Sequence, residues 1–246
     1  MLRHAILIFF RNFKRYKTAS FINLFGLSIG LASALLIYLW VNDELTMDHF
    51  GEKDSNRHYQ VMVNANTPNG VQTRETTPGP LTETLEKEFP EVDYAIPITA
   101  DSYYEGILSF ETEYVRATPQ FVGEGYFNVF RCDFVSGGKE VAFSDKNNIV
   151  ISEKVALGLF RSIDQAIGKT VTFKSEMFNG PYSVSGVFTP DDDASLKFDI
   201  LFSYDHFIEK RPGLRKWYNG GVHAHLVLNE GVDLKAFNAK IKDFLG

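Results

Sequence analysis

The sequence predicts an α+β protein carried on a single N-terminal membrane helix, and three observations lead there. Residues 21–41 (FINLFGLSIGLASALLIYLWV) form an uncharged, apolar run. The rest of the chain mixes short runs that alternate with the period of a strand and runs with the three- and four-residue spacing of a helix. Segments of mixed strand and helix character at the two ends of this body bracket a middle that is mostly strand-like.

Bulk composition narrows the class. With 44% hydrophobic residues in 246, the chain is neither disordered nor a multi-span transporter. Arg3, Arg11, Lys14, Arg15 and Lys17 all precede the apolar run; without them the formal charge of −6 becomes about −11, a poor match to nucleic acid. Cys132 is the only cysteine, which leaves no intramolecular disulfide and no cysteine-based metal framework.

Residues 1–17 read as a basic amphipathic helix at the cytoplasmic membrane surface. Leu2, Ile6, Phe9, Phe10 and Phe13 share one face, while Arg3, Arg11, Lys14 and Arg15 lie largely off it, the pattern of a helix lying among lipid headgroups. Residues 18–42 read as the transmembrane helix, since about twenty apolar residues span roughly 30 Å of hydrocarbon. The run is longer than a signal-peptide core and ends without a small-residue cleavage site. The cations before the span, against Asp43, Glu44 and Asp48 after it, predict a cytoplasmic N-terminus and an extracytoplasmic body. Tyr38 and Trp40 stand where interfacial anchors would. Gly26, Gly30 and Ala34 recur every four residues and mark a stripe where another helix could approach closely.

The body follows in order. Residues 43–56 read as a polar stalk. Residues 58–63 alternate as a strand, and 66–80, rich in Pro, Gly, Asn and Thr, read as a loop. Pro80 opens a helix with Leu81, Leu85 and Phe89 on one face, and Pro90 stops it; a second strand is expected at 93–99. From 103 to 190 strand-like runs fall at 108–115, 148–151, 170–173 and 182–188, broken by turns such as Gly137-Gly138 and by one helix with Ser152 as N-cap and Val155, Ala156, Leu159 and Phe160 as its stripe. Near the end Phe198, Ile200 and Phe202 alternate, as do Leu226 and Leu228, and Asp233 caps a helix carrying Leu234, Phe237, Ile241, Phe244 and Leu245. That helix is still amphipathic when the sequence stops at Gly246, which reads as truncation or as a helix leading onward.

Candidate chemistry is sparse. Gly168-Lys169-Thr170 has Ile163 where a phosphate loop needs its first glycine, and a strand follows it, so it reads as a turn. Asp191-Asp192-Asp193 lacks the alternation of a calcium loop. His223 and His225 share a strand face, read as exposed, without a third metal ligand at diagnostic spacing. Ser152 and Ser195 lack a nucleophile context, and Cys132, beside Phe134, reads as a small buried hydrophobe. No catalytic, cofactor or metal residue is assigned.

Several blocks in order carry a resemblance. They are Asn23-Leu24-Phe25-Gly26-Leu27-Ser28-Ile29-Gly30; Asp43-Glu44 with Asp48-His49-Phe50; Thr77-Pro78-Gly79-Pro80-Leu81 leading to Phe89-Pro90-Glu91-Val92; and Tyr126-Phe127-Asn128-Val129-Phe130 with Gly137-Gly138. Then come Ile149-Val150-Ile151-Ser152-Glu153-Lys154, Ile167-Gly168-Lys169, Tyr182-Ser183-Val184-Ser185-Gly186-Val187 and Phe198-Asp199-Ile200. Together they resemble the MacB/FtsX-like ABC transporter permeases with a MacB-type periplasmic core domain, over nearly the whole chain. The resemblance implies a porter-like α/β subdomain, residues 57–102 and 191–246, split by a β-rich inserted lobe, 103–190. It also implies three further membrane helices, a bacterial inner-membrane location, a homo- or heterodimer of permeases, a cytoplasmic ABC ATPase subunit as partner, and an unidentified periplasmic partner or substrate. ATP hydrolysis would then belong to the partner, and the chain would be a non-catalytic transmitter of movement for export, lipoprotein release or envelope remodelling. Gly26, Gly30 and Ala34 would pack helices, and Arg11, Lys14, Arg15 and Lys17 would fix topology and cytoplasmic contact. The alternative is a single-span, membrane-anchored binding or scaffolding protein without ATP-driven movement; a tethered hydrolase would need catalytic residues that the sequence does not reveal.

Overall fold

The computed structural model describes residues 11, 15–46, 56–100, 104–190, 198–242 and 244, and the chain divides into two compact units, Met1–Asp48 and His49–Gly246. In the first unit α1 (Lys17–Thr46) is one unbroken helix. It contains no proline, so no backbone hydrogen bond is forced open along it. The helix continues through Asp43 to Thr46, four residues into the segment that composition predicts as a stalk, because nothing in Asp-Glu-Leu-Thr breaks a helix already nucleated. Of the predicted amphipathic segment, Arg11 and Arg15 are helical and exposed; Lys14 and the apolar positions Leu2, Ile6, Phe9, Phe10 and Phe13 lie outside the described residues.

The second unit is built on a mixed sheet. Its strands are β1 (His58–Val61), β2 (Val63–Thr67), β3 (Gly70–Arg74), β4 (Thr77–Pro78), β5 (Val92–Ala100), β6 (Gly106–Phe110), β7 (Glu113–Ala117), β8 (Pro119–Val122), β9 (Asp133–Gly137), β10 (Asn148–Ser152), β11 (Thr170–Lys174), β12 (Gly180–Thr189), β13 (Ile200–Ser203) and β14 (Gly220–Leu228). Among the described residues six α-helices accompany them: α2 (Leu81–Glu88), α3 (Tyr126–Val129), α4 (Lys139–Ala142), α5 (Glu153–Phe160), α6 (Tyr204–Lys210) and α7 (Leu234–Ile241), with a 3-10 turn at Pro212–Arg215. The main path runs β1-β14-β5-β8-β13-β10-β12-β11-β6-β7, with β4 on β14 and β9 on β12; β2 and β3 form a separate hairpin. The pairs β10–β12 and β13–β8 are parallel. The others are antiparallel.

Alternation along the strands sorts side chains between two faces. On one face Ile96, Ile98, Val122, Val150, Phe188, Leu201 and Val227 form a continuous layer with Tyr126, Val129 and Phe130 from α3 and its end. The opposite face carries two cores. Under α2 and α7, Leu81, Leu85, Phe89 and Phe237 meet Ala95, Ala224, Leu226 and Leu228. Under α5 and α6, Val155, Leu159, Phe160 and Phe207 meet Phe121, Ile149, Ile151, Phe173 and Phe202. The rings of Phe121 and Phe178 lie 4.4 Å apart, and Phe121 and Phe207 4.8 Å. Each fully buried phenylalanine contributes roughly 2–3 kcal/mol through apolar burial. The two cores meet the sheet on either side of the β5–β8 junction, which is only three residue pairs long.

The helix ends have local causes. Pro80 stands at the N-cap of α2 in helical geometry, φ −69°, where its missing N–H matters least. Ser152 Oγ accepts from Val155 N at 3.3 Å, and Asp233 accepts from Lys235 N and Ala236 N. The α7 stripe runs on past the helix: Phe244 sits in a turn, 5.5 Å from Phe89 and 6.0 Å from Trp217.

Two expectations change. Residues 66–80, expected as a loop, contain the end of β2 and all of β3, a hairpin that turns at Pro68-Asn69 into Gly70 with φ +108°. Strand β2 half-buries Val63, Ala65 and Thr67, whereas β3 is exposed throughout, so no hydrophobic period announces the second strand; backbone pairing and the Thr73–Asn64 hydrogen bond of 2.8 Å carry it. Residues 108–115, expected as one strand, fold back as β6 and β7 around Glu111, φ +50°. Short elements β8, α3, α4, β9 and α6 carry no usable period and were not expected.

Candidate functional site

The membrane helix is the first candidate. Within Lys17–Asn42 the mean hydropathy reaches 2.1, and none of that apolar window is buried in the protein. This is one helix long and apolar enough to cross a membrane. The 26 residues of this stretch would rise about 39 Å, more than the hydrocarbon core of roughly 30 Å. Gly26, Gly30 and Ala34 fall on one line of its surface and are exposed. A Cβ added at Gly26 or Gly30 would meet nothing within 4 Å, so no contact inside the described chain requires either glycine. Ser28 Oγ donates back to Leu24 O at 2.8 Å, satisfying its hydroxyl within the helix. Lys17 and Arg15 are exposed, and the Arg15 guanidinium lies 5.7 Å from the Tyr16 ring centroid.

In the second unit, the candidates for chemistry resolve into structural roles. Gly168 takes φ +74°, its amide donates to Val184 O at 2.8 Å and the Lys169 amide to Ala166 O; Thr170 then enters β11. The amides a phosphate would need are committed to the turn and the sheet. Ser152 is fully buried and caps α5. Asp191-Asp192-Asp193 and Ser195 lie outside the described residues.

His223 and His225 do share a face of β14, but that face is half-buried rather than exposed. Strand β1 lies beside it and supplies partners: His58 Nε2 and His225 Nδ1 are 3.0 Å apart, and Gln60 Nε2 donates to His223 Nδ1 at 3.1 Å. Phe130 sets its ring edge to face against both His58 and His225. Burial holds the His58 imidazole below its ordinary pKa. The row is a side-chain seam between β1 and β14; among the described residues no group of three potential metal ligands occurs. Cys132 is half-buried, and burial, with the charge of Asp133 second, pushes its thiol up to about 12, far from a reactive thiolate.

A further buried pair was not legible in the sequence. Tyr182 OH and His206 Nε2 are 2.9 Å apart, brought together from β12 and α6. Tyr182 opens one of the blocks that carry the resemblance, but nothing in the sequence pairs it with His206, and only the fold brings the two together.

These features define a class: a mixed α+β domain built on a large mixed sheet, in a chain with one candidate membrane helix. The family described as MacB-like periplasmic core domain matches residues 20–244, and the chain belongs to that family, which occurs in ABC transporter permeases. Three solved structures share the fold. A domain assigned to a permease protein of Porphyromonas gingivalis aligns with TM-score 0.64 at 18% identity, covering 79% of this chain and 81% of that one. The periplasmic region of MacB from Actinobacillus actinomycetemcomitans gives 0.54 at 17%, covering 78% and 84%. The extracellular domain of the noncanonic ABC-type transporter YknZ from Gram-positive bacteria gives 0.51 at 15%, covering 76% and 87%. No curated protein matches the chain.

Proposed function

We propose that this chain is a permease subunit of an ABC transporter, or the N-terminal part of one, that couples a cytoplasmic ATPase to movement of its extracytoplasmic domain. The observation that carries the reading is the continuous family match over residues 20–244, which takes in most of α1 together with nearly all of the second unit. In this reading the chain performs no catalysis, and it sits in a bacterial inner membrane with its N-terminus in the cytoplasm. Arg11, Lys14, Arg15 and Lys17 hold that orientation and approach the ATPase. Gly26, Gly30 and Ala34 form the surface on which a helix of a second permease copy, or of a related permease, packs. The open surface above Gly26 and Gly30 supports this.

Movement would pass between a porter-like subdomain, residues 57–102 and 191–246, and the lobe 103–190. The core under α2 and α7 draws on residues 59–95 and 224–244 and the core under α5 and α6 on residues 104–214; the short β5–β8 pairing between them supports a pivot along that junction in which β13 and α6 move with the lobe.

The test uses the full chain expressed in its native host. Gly30→Leu should reduce crosslinked dimer or permease complex at least severalfold while outer-unit melting stays unchanged. Arg11→Glu with Arg15→Glu should abolish co-purification of an ABC ATPase. Unchanged crosslinking would sink the packing role, and a wild-type chain that recovers no ATPase would favour the single-span binding or scaffolding protein instead.

A further inference from the structure

A cleft of about 360 Å³ opens where α6, the starts of β11 and β12, and the loop before β10 meet. Its polar lining is one-sided. Lys210 is its single cation, and no aspartate or glutamate lines it. The neighbouring carboxylate, Glu209, is held by Lys146 at 3.1 Å, outside the lining.

The donors in the cleft have little to do for the protein. Asn179 turns its Oδ1 to the Ser175 amide at 3.1 Å, which leaves Nδ2 for the cleft. Ser183 N donates to Asn147 O at 2.9 Å, so these two backbones are joined and their side chains remain. Among the described residues no protein acceptor engages Lys210 Nζ, Asn179 Nδ2, Thr170 Oγ1 or Ser183 Oγ. In the same lining His206 is only 6% exposed, bonded through Nε2 to Tyr182, and its Nδ1 is buried without a partner. Burial, and after it the charge of Lys210, lowers the His206 pKa, so the imidazole adds no second charge near neutral pH.

We propose that this cleft binds a carboxylate, with Lys210 supplying the charge and Asn179, Thr170 and Ser183 the hydrogen bonds. One cation with several neutral donors matches a singly charged oxyanion. A phosphate, with charge near −2 and three acceptor oxygens, calls instead for an arginine cluster or a ring of backbone amides, and the lining offers neither. The volume lies at the lower end for small-molecule sites, suited to one or two residues behind the carboxylate.

The test is ligand-detected saturation-transfer NMR on the full chain in neutral detergent, with N-acetyl-Ala-Ala, its C-terminal amide, acetate and inorganic phosphate as probes. The acid should bind and the amide should bind at least tenfold more weakly. Lys210→Gln, an exposed position that folding tolerates, should weaken the acid about tenfold, and Thr170→Val about threefold. Acetate binding as tightly as the dipeptide supports a free small acid as the source of the carboxylate; weaker acetate supports a peptide end. Equal binding of acid and amide, indifference to Lys210→Gln, or phosphate displacing the acid at lower concentration would each overturn the proposal.

Discussion

Gly137 and Gly138 are neighbours, yet the structure predicts opposite responses to alanine. Gly137 holds φ +77°, and a Cβ there would lie 2.4 Å from Ser185 O and 2.8 Å from Gly186 Cα. Both obstacles are backbone of β12, the strand with which β9 pairs, so neither can swing aside. Left-handed geometry costs a non-glycine residue about 1–2 kcal/mol, and forcing atoms into a packed site costs about 1–3 kcal/mol more. Lower entropy of the unfolded chain returns about 0.4–1 kcal/mol. Gly137→Ala should therefore destabilise by about 2–4 kcal/mol, a fall in Tm of roughly 5–15 °C for a unit of this size. At Gly138 the backbone is extended and a Cβ would meet nothing within 4 Å. The same entropic gain there is set against a slightly poorer cap for α4, and Gly138→Ala should stay within about 1 kcal/mol of the parent. The assay is thermal unfolding of the full chain in detergent, in a Trp40→Phe background so that Trp217 alone reports. Equal shifts for the two variants, or a loss under about 1 kcal/mol at Gly137, would refute the reasoning.

Ser152→Ala removes the cap on α5 and leaves the Val155 amide without it, so urea unfolding should show a loss of about 1–2 kcal/mol; Ser152→Thr should restore part of it. Cys132 keeps its proton in the folded state to about pH 12, above its unfolded value of about 8.5. Its contribution is complete below that unfolded value and is lost as pH rises towards 12, so denaturation midpoints at pH 8 and 10.5 should differ less in Cys132→Ala than in the parent. Iodoacetamide should label Cys132 rapidly only after denaturant is added. His206 has the opposite sign: its lowered pKa makes stability complete above the unfolded value of about 6.5 and lost as pH falls through the folded value. Melting between pH 7 and 5 should therefore be less pH-dependent in His206→Gln, and an unchanged slope would exclude His206 as a source.

Much of the local structure was legible because the signals are local. Pro80 and Pro90 bound α2, Ser152 and Asp233 cap the helices expected of them, and alternation located β5, β10, β11 and β12. The misses share a cause as well. Strand β3 is exposed along its whole length, and α3, α4 and α6 span at most seven residues, too few turns for a helical stripe to stand out. Strand alternation in 108–115 runs through the turn at Glu111, where one residue in left-handed geometry reverses the chain without interrupting the pattern. His223 and His225 were placed on one face, as the period of a strand requires, but their burial depended on β1, 160 residues and more away in sequence.

By itself, then, the sequence determined the uncharged helix, the charge step across it, the caps and breakers, and the order of blocks that marks the family, because each is a property of neighbouring residues along one element. Only the tertiary structure decided the rest: that β14 lies between β1 and β5, that one sheet face is continuous while the other divides into two cores, and that Lys210, Asn179 and Thr170 surround a common cleft over buried His206. Many strand pairings bury a similar number of apolar side chains. The choice among them is made by how whole faces pack, and that energy is summed over residues far apart in the chain.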